Sequence, residues 1–80
     1  MKLYAPDGRC NTSGERVREA RIKLGITQDV LAARLQVAGL QTGQMAVSRL
    51  ESGKRVVADY ELPILAEVLG VSVNWLLGIE

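Results

Sequence analysis

The sequence predicts an all-α domain of five short helices. Three observations carry that prediction. Apolar residues recur three, four and seven positions apart in successive blocks, the spacing of one helical face. Gly25, Gly53, Gly70 and Gly78 close four of these blocks, at the place where a helix commonly ends. No stretch alternates apolar and polar residues for long enough to make a strand. Of the 80 residues 48% are hydrophobic, yet only Tyr4, Tyr60 and Trp75 are aromatic, so the core must be built from Leu, Val, Ile and Ala. A chain of this length forms one domain and buries a modest share of its surface.

Residues 1–14 are assigned to an N-terminal tail, because Pro6, Asp7, Gly8, Asn11, Thr12, Ser13 and Gly14 crowd it with turn formers. Leu3 and Tyr4 are its candidates for packing on the body, which spans residues 15–78. The first helix is expected over residues 13–24. Thr12 and Glu15 have capping-box spacing, and Val17, Ala20, Arg21 and Leu24 share one face. The second helix should begin after Thr27, whose hydroxyl can cap the free amides of the first turn, with Asp29 placed to suit the helix dipole. Its buried stripe is Leu31, Ala32 and Leu35. Residues 36–42 form a connector that contains Gly39. The third helix should start at Gly43 or Gln44 and run to about Ser52, with Val47 and Leu50 facing inward and Ala46 beside them. After a loop over residues 54–58, Asp59 is the expected cap of the fourth helix. Pro63 falls in that helix's first turn, where the missing amide costs nothing. Leu62, Leu65, Ala66 and Leu69 form its stripe. Ser72 caps the fifth helix, which covers Val73 to about Leu77.

The composition narrows the function. Cys10 is the lone cysteine and there is no histidine, so neither an internal disulfide nor a structural zinc site is expected, and no metal or cofactor is assigned. Cys10 itself reads as an idle thiol in a mobile tail. No apolar run approaches the roughly 20 residues that span a bilayer, and the first residues lack the apolar stretch of a leader, so a cytoplasmic protein is expected. Glu15, Glu19 and Asp29 lie on exposed positions of short helices, an unpromising basis for catalysis, and no enzyme is expected. Net charge is only +1, but it is unevenly distributed. Residues 15–55 hold eight basic and four acidic side chains, whereas residues 56–80 hold four acidic and no basic ones. A basic first half is the electrostatic footprint that phosphate would favour, although charged outer faces are also ordinary for helices.

The run Arg21-Ile22-Lys23-Leu24-Gly25-Ile26-Thr27-Gln28-Asp29-Val30-Leu31-Ala32 resembles the first two helices of the lambda-repressor-like, or XRE-type, helix-turn-helix family. Val47-Ser48-Arg49-Leu50-Glu51-Ser52-Gly53-Lys54-Arg55 resembles that family's third helix and following loop. Leu65-Ala66-Glu67-Val68-Leu69-Gly70-Val71-Ser72 and Trp75-Leu76-Leu77-Gly78 resemble its last two helices. Each piece is weak alone, but together they cover about residues 15–78 in the right order. Two departures stand out. The connector after Leu35 is about five residues longer than the family's usual tight turn, with Val37 and Leu40 available to pack on the core. Gly43 occupies a position where the family often has a capping Ser or Thr, leaving Thr42 to take over the cap.

The resemblance implies a sequence-specific regulator of transcription, a repressor, of the bacterial, archaeal or phage type, with double-stranded DNA as partner. Its third helix would enter the major groove. Gln44, Met45, Ser48 and Arg49 would then face bases: glutamine can bond adenine N6 and N7 together, and arginine guanine O6 and N7. Thr27, Gln28, Thr42, Gly43, Lys54 and Arg55 would meet phosphates, which fix register without reading sequence. Gln28 would also brace the first residue of the reading helix. The family usually pairs the arginine at Arg21 with the glutamate at Glu51, a structural ion pair that relieves a lone charge on an apolar face. Trp75 is expected in the core or, with Ile79, in a homodimer patch at the C-terminal helix. The competing class is a protein-interaction or antitoxin-like module on the same fold, which the near-neutral charge, the long connector and the apolar C-terminus would suit.

Overall fold

The computed structural model describes residues 8–79. They form five helices: α1 (Gly14–Leu24), α2 (Gln28–Val37), α3 (Gln44–Glu51), α4 (Glu61–Leu69) and α5 (Val73–Leu77). There is no strand among the described residues. α1 packs on α3, α4 and α5, and α2 packs on α3 and α4. Val17, Leu31, Leu35, Val47, Leu65 and Leu76 are fully buried at the centre, joined by Ala20, Ala32, Leu40, Leu50, Ala66 and Leu69. The core is aliphatic throughout, and the alanines are what let the helices approach closely.

Thr27 and Ser72 cap α2 and α5: their hydroxyls accept from the amides of Val30 at 3.2 Å and Trp75 at 3.0 Å. Other termini depart from the sequence-based expectation. The stripe of α1 stops short of Leu24, which is 46% exposed. Gly25 turns the chain into the left-handed region, the Ile26 amide returns to the Arg21 carbonyl, and Ile26 packs on the core instead. Thr12 and Glu15 do not form a capping box. Ser13 sits at the N-cap without a side-chain bond, and Asn11 Oδ1 accepts from the Gly14 amide at 2.8 Å. Asp59 does not cap α4. The helix begins at Glu61, whose own carboxylate accepts from the Ala58 amide at 2.8 Å.

The long connector is ordered by one apolar anchor. Gly39 has φ +100, which admits glycine readily, and that lets the Leu40 amide reach back to the Leu35 carbonyl at 2.9 Å. Leu40 is thereby buried, whereas Val37, expected to share that role, is 91% exposed. The Gln36 side-chain amide donates to the Thr42 carbonyl and ties the two ends of the connector together.

The segment assigned to a tail is divided. Leu3 and Tyr4 lie outside the described residues, but residues 9–13 form a strap across the C-terminal end of α3. The Cys10 amide donates to the Gly53 carbonyl at 2.8 Å. Asn11 Nδ2 donates to the Leu50 carbonyl at 3.0 Å and to the Arg55 carbonyl at 2.8 Å. The Arg9 guanidinium donates to the carbonyls of Glu51 and Ser52, both at 3.3 Å. The carbonyls of Leu50, Glu51 and Ser52 end α3, where intrahelical donors run out, and a cation and a side-chain amide from elsewhere in the chain bond to them. The strap also explains Gly14. A Cβ there would come within 2.1 Å of the Leu50 carbonyl oxygen, so α1 can start against α3 only with no side chain.

Asn11→Ala is therefore expected to lower stability by about 2 kcal/mol, because it removes the three hydrogen bonds by which this side chain ties the strap to α3, to the loop after it and to the start of α1. Gly14→Ala should cost roughly 1–3 kcal/mol or more through overpacking, while Gly43→Ser should change stability by only a few tenths. Urea unfolding of the three variants checks the order; equal losses would contradict the role given to the strap.

Candidate nucleic-acid interface

One side of α3 is buried and the other stands free. Val47 and Leu50 face the core, Gln44 and Arg49 are exposed, and Met45 is 66% exposed. Ser48 is half-buried on the edge between the two. The N-terminus of α2 lies beside that of α3, and a chain of side-chain bonds joins them. Arg21 Nε and Nη2 donate to Glu51 Oε2 and Oε1 at 2.7 and 3.0 Å. Arg21 Nη1 donates to the Ile26 carbonyl at 2.9 Å. Gln28 Nε2 donates to Glu51 Oε1 at 3.1 Å, and Gln44 Nε2 donates to Gln28 Oε1 at 2.7 Å.

The side chains of Arg21 and Glu51 are only 13% and 3% exposed, so the pair is largely shielded from water and salt. Its fork geometry supplies both charge and direction. The Arg21 pKa rises above its ordinary value, first through the hydrogen bonds it donates to Glu51, against an opposing effect of burial. A buried pair of this kind is not a large net source of stability, but breaking it from one side leaves a charge stranded.

Around this chain lie the other residues singled out as phosphate ligands. Thr27 is exposed at the start of α2; its oxygen accepts the cap bond, and its hydroxyl proton can still be donated outward. Gly43 is the N-cap of α3 in extended conformation and offers no side-chain cap, so the first amides of α3 remain available to an anion. Thr42 does not take over the cap; its recorded bond is the one its carbonyl accepts from Gln36. Lys54 is exposed in the loop after α3, its amide held by the Arg49 carbonyl at 2.8 Å.

Arg55, expected to reach phosphate with Lys54, is half-buried and pairs within the chain, with Nη2 2.6 Å from Glu61 Oε2 and Nη1 donating to the Val56 carbonyl at 2.7 Å. The hydrogen bonds from Arg55, reinforced by the Ala58 amide, hold the Glu61 carboxyl below the ordinary carboxylate value, while burial acts the other way. This pair, and the strap that holds Leu50 and Arg55, went unread in the sequence. The signal was present in Glu61 at the start of a helix, six residues after Arg55, but Asp59 made the more obvious cap. Trp75 is half-buried, with the Arg16 guanidinium 4.8 Å from its ring centre, a cation–π arrangement. Ile79 is 69% exposed.

A family model described as helix-turn-helix matches residues 17–76, most of the chain and all of this arrangement. The chain belongs to the XRE-type helix-turn-helix family. It is, with that family, a DNA-binding regulator of transcription. Among solved structures it is similar to the P22 c2 repressor protein in complex with a synthetic operator, at 27% identity and a TM-score of 0.72, over 88% of this chain and 98% of that one. It also shares its fold with a hypothetical transcription factor, NHTF, from Neisseria, at 23% identity and a TM-score of 0.72, over 95% of this chain and 88% of that one. No helix among the described residues is long and apolar enough to cross a membrane.

Two outcomes follow for this helix-turn-helix domain. Arg21→Met alone should cost about 3–5 kcal/mol by stranding Glu51, whereas Arg21→Met with Glu51→Leu should recover most of that loss. Denaturant midpoints decide it; a double variant no better than the single one would contradict the pairing. Glu61, with its folded pKa depressed, stabilises the fold above the unfolded carboxylate pKa and loses that contribution as pH falls through the folded value. The stability gap between wild type and Glu61→Gln should thus be full at neutral pH and shrink as pH falls below the ordinary value of 4.5. A gap that widens in acid would reverse the sign assigned here.

Proposed function

We propose that α3 lies in the major groove of duplex DNA, and that the chain acts as a repressor by occupying an operator as a homodimer. The observation that carries this reading is the Gln28–Gln44 bond. It braces the first residue of α3 from the start of α2, at the point where the two helix N-termini converge. A side chain fixed in this way can meet a base edge without first being ordered, which lowers the entropic cost of binding. Gln44 pairs with adenine, Arg49 with guanine, Met45 lies against a thymine methyl and Ser48 supplies a further polar contact. Thr27, Gln28, the amides behind Thr42 and Gly43, and Lys54 take phosphates. Arg55 instead holds the loop that presents Lys54. The similarity to a repressor that binds an operator supports the same reading. For the homodimer, the C-terminal end of the domain supplies the surface: Leu77 at the end of α5 and Ile79 just after it are exposed apolar residues. Two-fold pairing there would place two copies of α3 about one DNA turn, or ~34 Å, apart.

Selection of bound duplexes from a random pool should return a palindromic site. Against that site, Gln44→Ala should lose roughly 1–3 kcal/mol of discrimination at one base pair per half-site. Lys54→Ala should weaken all duplexes alike and reduce the slope of log K against log salt by about one. A pool with no consensus, or affinity indifferent to salt, would end the groove reading.

A further inference from the structure

We propose that Glu51, with Arg21 behind it, is a positioning residue for base recognition, setting through Gln28 which way the Gln44 amide faces. The inference rests on the groove reading above and extends it to residues that touch no DNA.

A glutamine amide is nearly symmetric in shape but not in chemistry: one end donates and the other accepts, and an isolated amide is free to turn over. Glu51 removes that freedom. Its carboxylate, gripped by two nitrogens of Arg21, can only accept. The Gln28 atom 3.1 Å from Glu51 Oε1 must therefore be the NH2 group. The other end of Gln28 is then a carbonyl oxygen, which must accept. The Gln44 atom 2.7 Å from it must in turn be an NH2 group. One proton of that group is used, leaving the second proton and the Gln44 carbonyl for the groove. Adenine N7 accepts and N6 donates in a fixed spatial order, so an amide turned over would present its two groups the wrong way round. The order in which Gln44 meets a base is thus set by a buried carboxylate held by a partly buried arginine.

The test compares four proteins: wild type, Gln44→Ala, Glu51→Gln and Gln28→Met. Glu51→Gln keeps the shape but substitutes a group that can donate or accept, so nothing compels the orientation of Gln28. Gln28→Met keeps the ion pair and side-chain length and cuts only the relay, so it carries the test if Glu51→Gln fails to fold. Side-chain amide resonances of the free protein are read first. Gln44 should show a hydrogen-bonded amide proton in wild type that moves to solvent-exposed values in both relay variants. The ratio of affinities for the selected site and for the site with its Gln44 base pair changed is read next. It should fall about fivefold in both relay variants, out of the roughly 5- to 150-fold that one bidentate pairing supplies. Loss of a phosphate bond from Gln28 would weaken both duplexes equally and leave that ratio alone. Unmoved Gln44 resonances, or an unchanged ratio in folded relay variants when Gln44→Ala abolishes it, would overturn the relay. If Gln44→Ala also leaves the ratio unchanged, it is the groove reading that has failed, and the amide resonances still decide whether the relay exists.

Discussion

The ion pair between Arg21 and Glu51 ties this molecule together. It joins the end of α1 to the end of α3, and through the third guanidinium nitrogen it also fixes Ile26, the residue that fills the core where α1 turns into α2. Apart from Glu51, only Val47 and Leu50 are buried side chains on this helix of 8 residues. So short a helix has little stability of its own and needs anchorage at both ends. Glu51 and Gln28 brace it from the α2 side, and the strap of Arg9, Cys10 and Asn11 holds its last carbonyls. The outer side, with Gln44, Met45 and Arg49, is left with no packing duty.

A net charge of +1 is low for a DNA-binding regulator. Several of the basic residues in the first half are occupied within the protein: Arg21 by Glu51, Arg55 by Glu61, Arg9 by helix-end carbonyls and Arg16 by the face of Trp75. Arg18, Lys23, Arg34, Arg49 and Lys54 are left to displace counterions from phosphate. Helix N-termini and polar contacts held in place beforehand add to what these charges supply.

Much of the architecture could be read from the sequence because its signals are local. Thr27 and Ser72 cap their helices, and the periodic leucines lie inside. The readings that failed were those in which a distant partner wins over a nearby one. Thr12 and Glu15 have the spacing of a capping box, but Asn11 reaches Gly14 first while bonding α3 at the same time. Leu24 continues the face of α1 in sequence, yet the glycine turn hands its place to Ile26. Asp59 looks like the cap of α4 until Glu61, paired with Arg55 six residues before it, takes the Ala58 amide. Of the candidate site, residue types and helix faces were legible. The direction of the Gln28 amide was not, because it depends on a carboxylate 23 positions away.

The central claim is that the outer side of α3 and the start of α2 form the surface that meets DNA. Titrating the isotope-labelled protein with its selected duplex, and following backbone amide shifts residue by residue, tests it most directly. The largest changes should fall at Gln28, at Gln44 to Arg49 and at Lys54. Changes gathered on α5 or on the outer side of α2, with Gln44 to Arg49 undisturbed, would contradict the account.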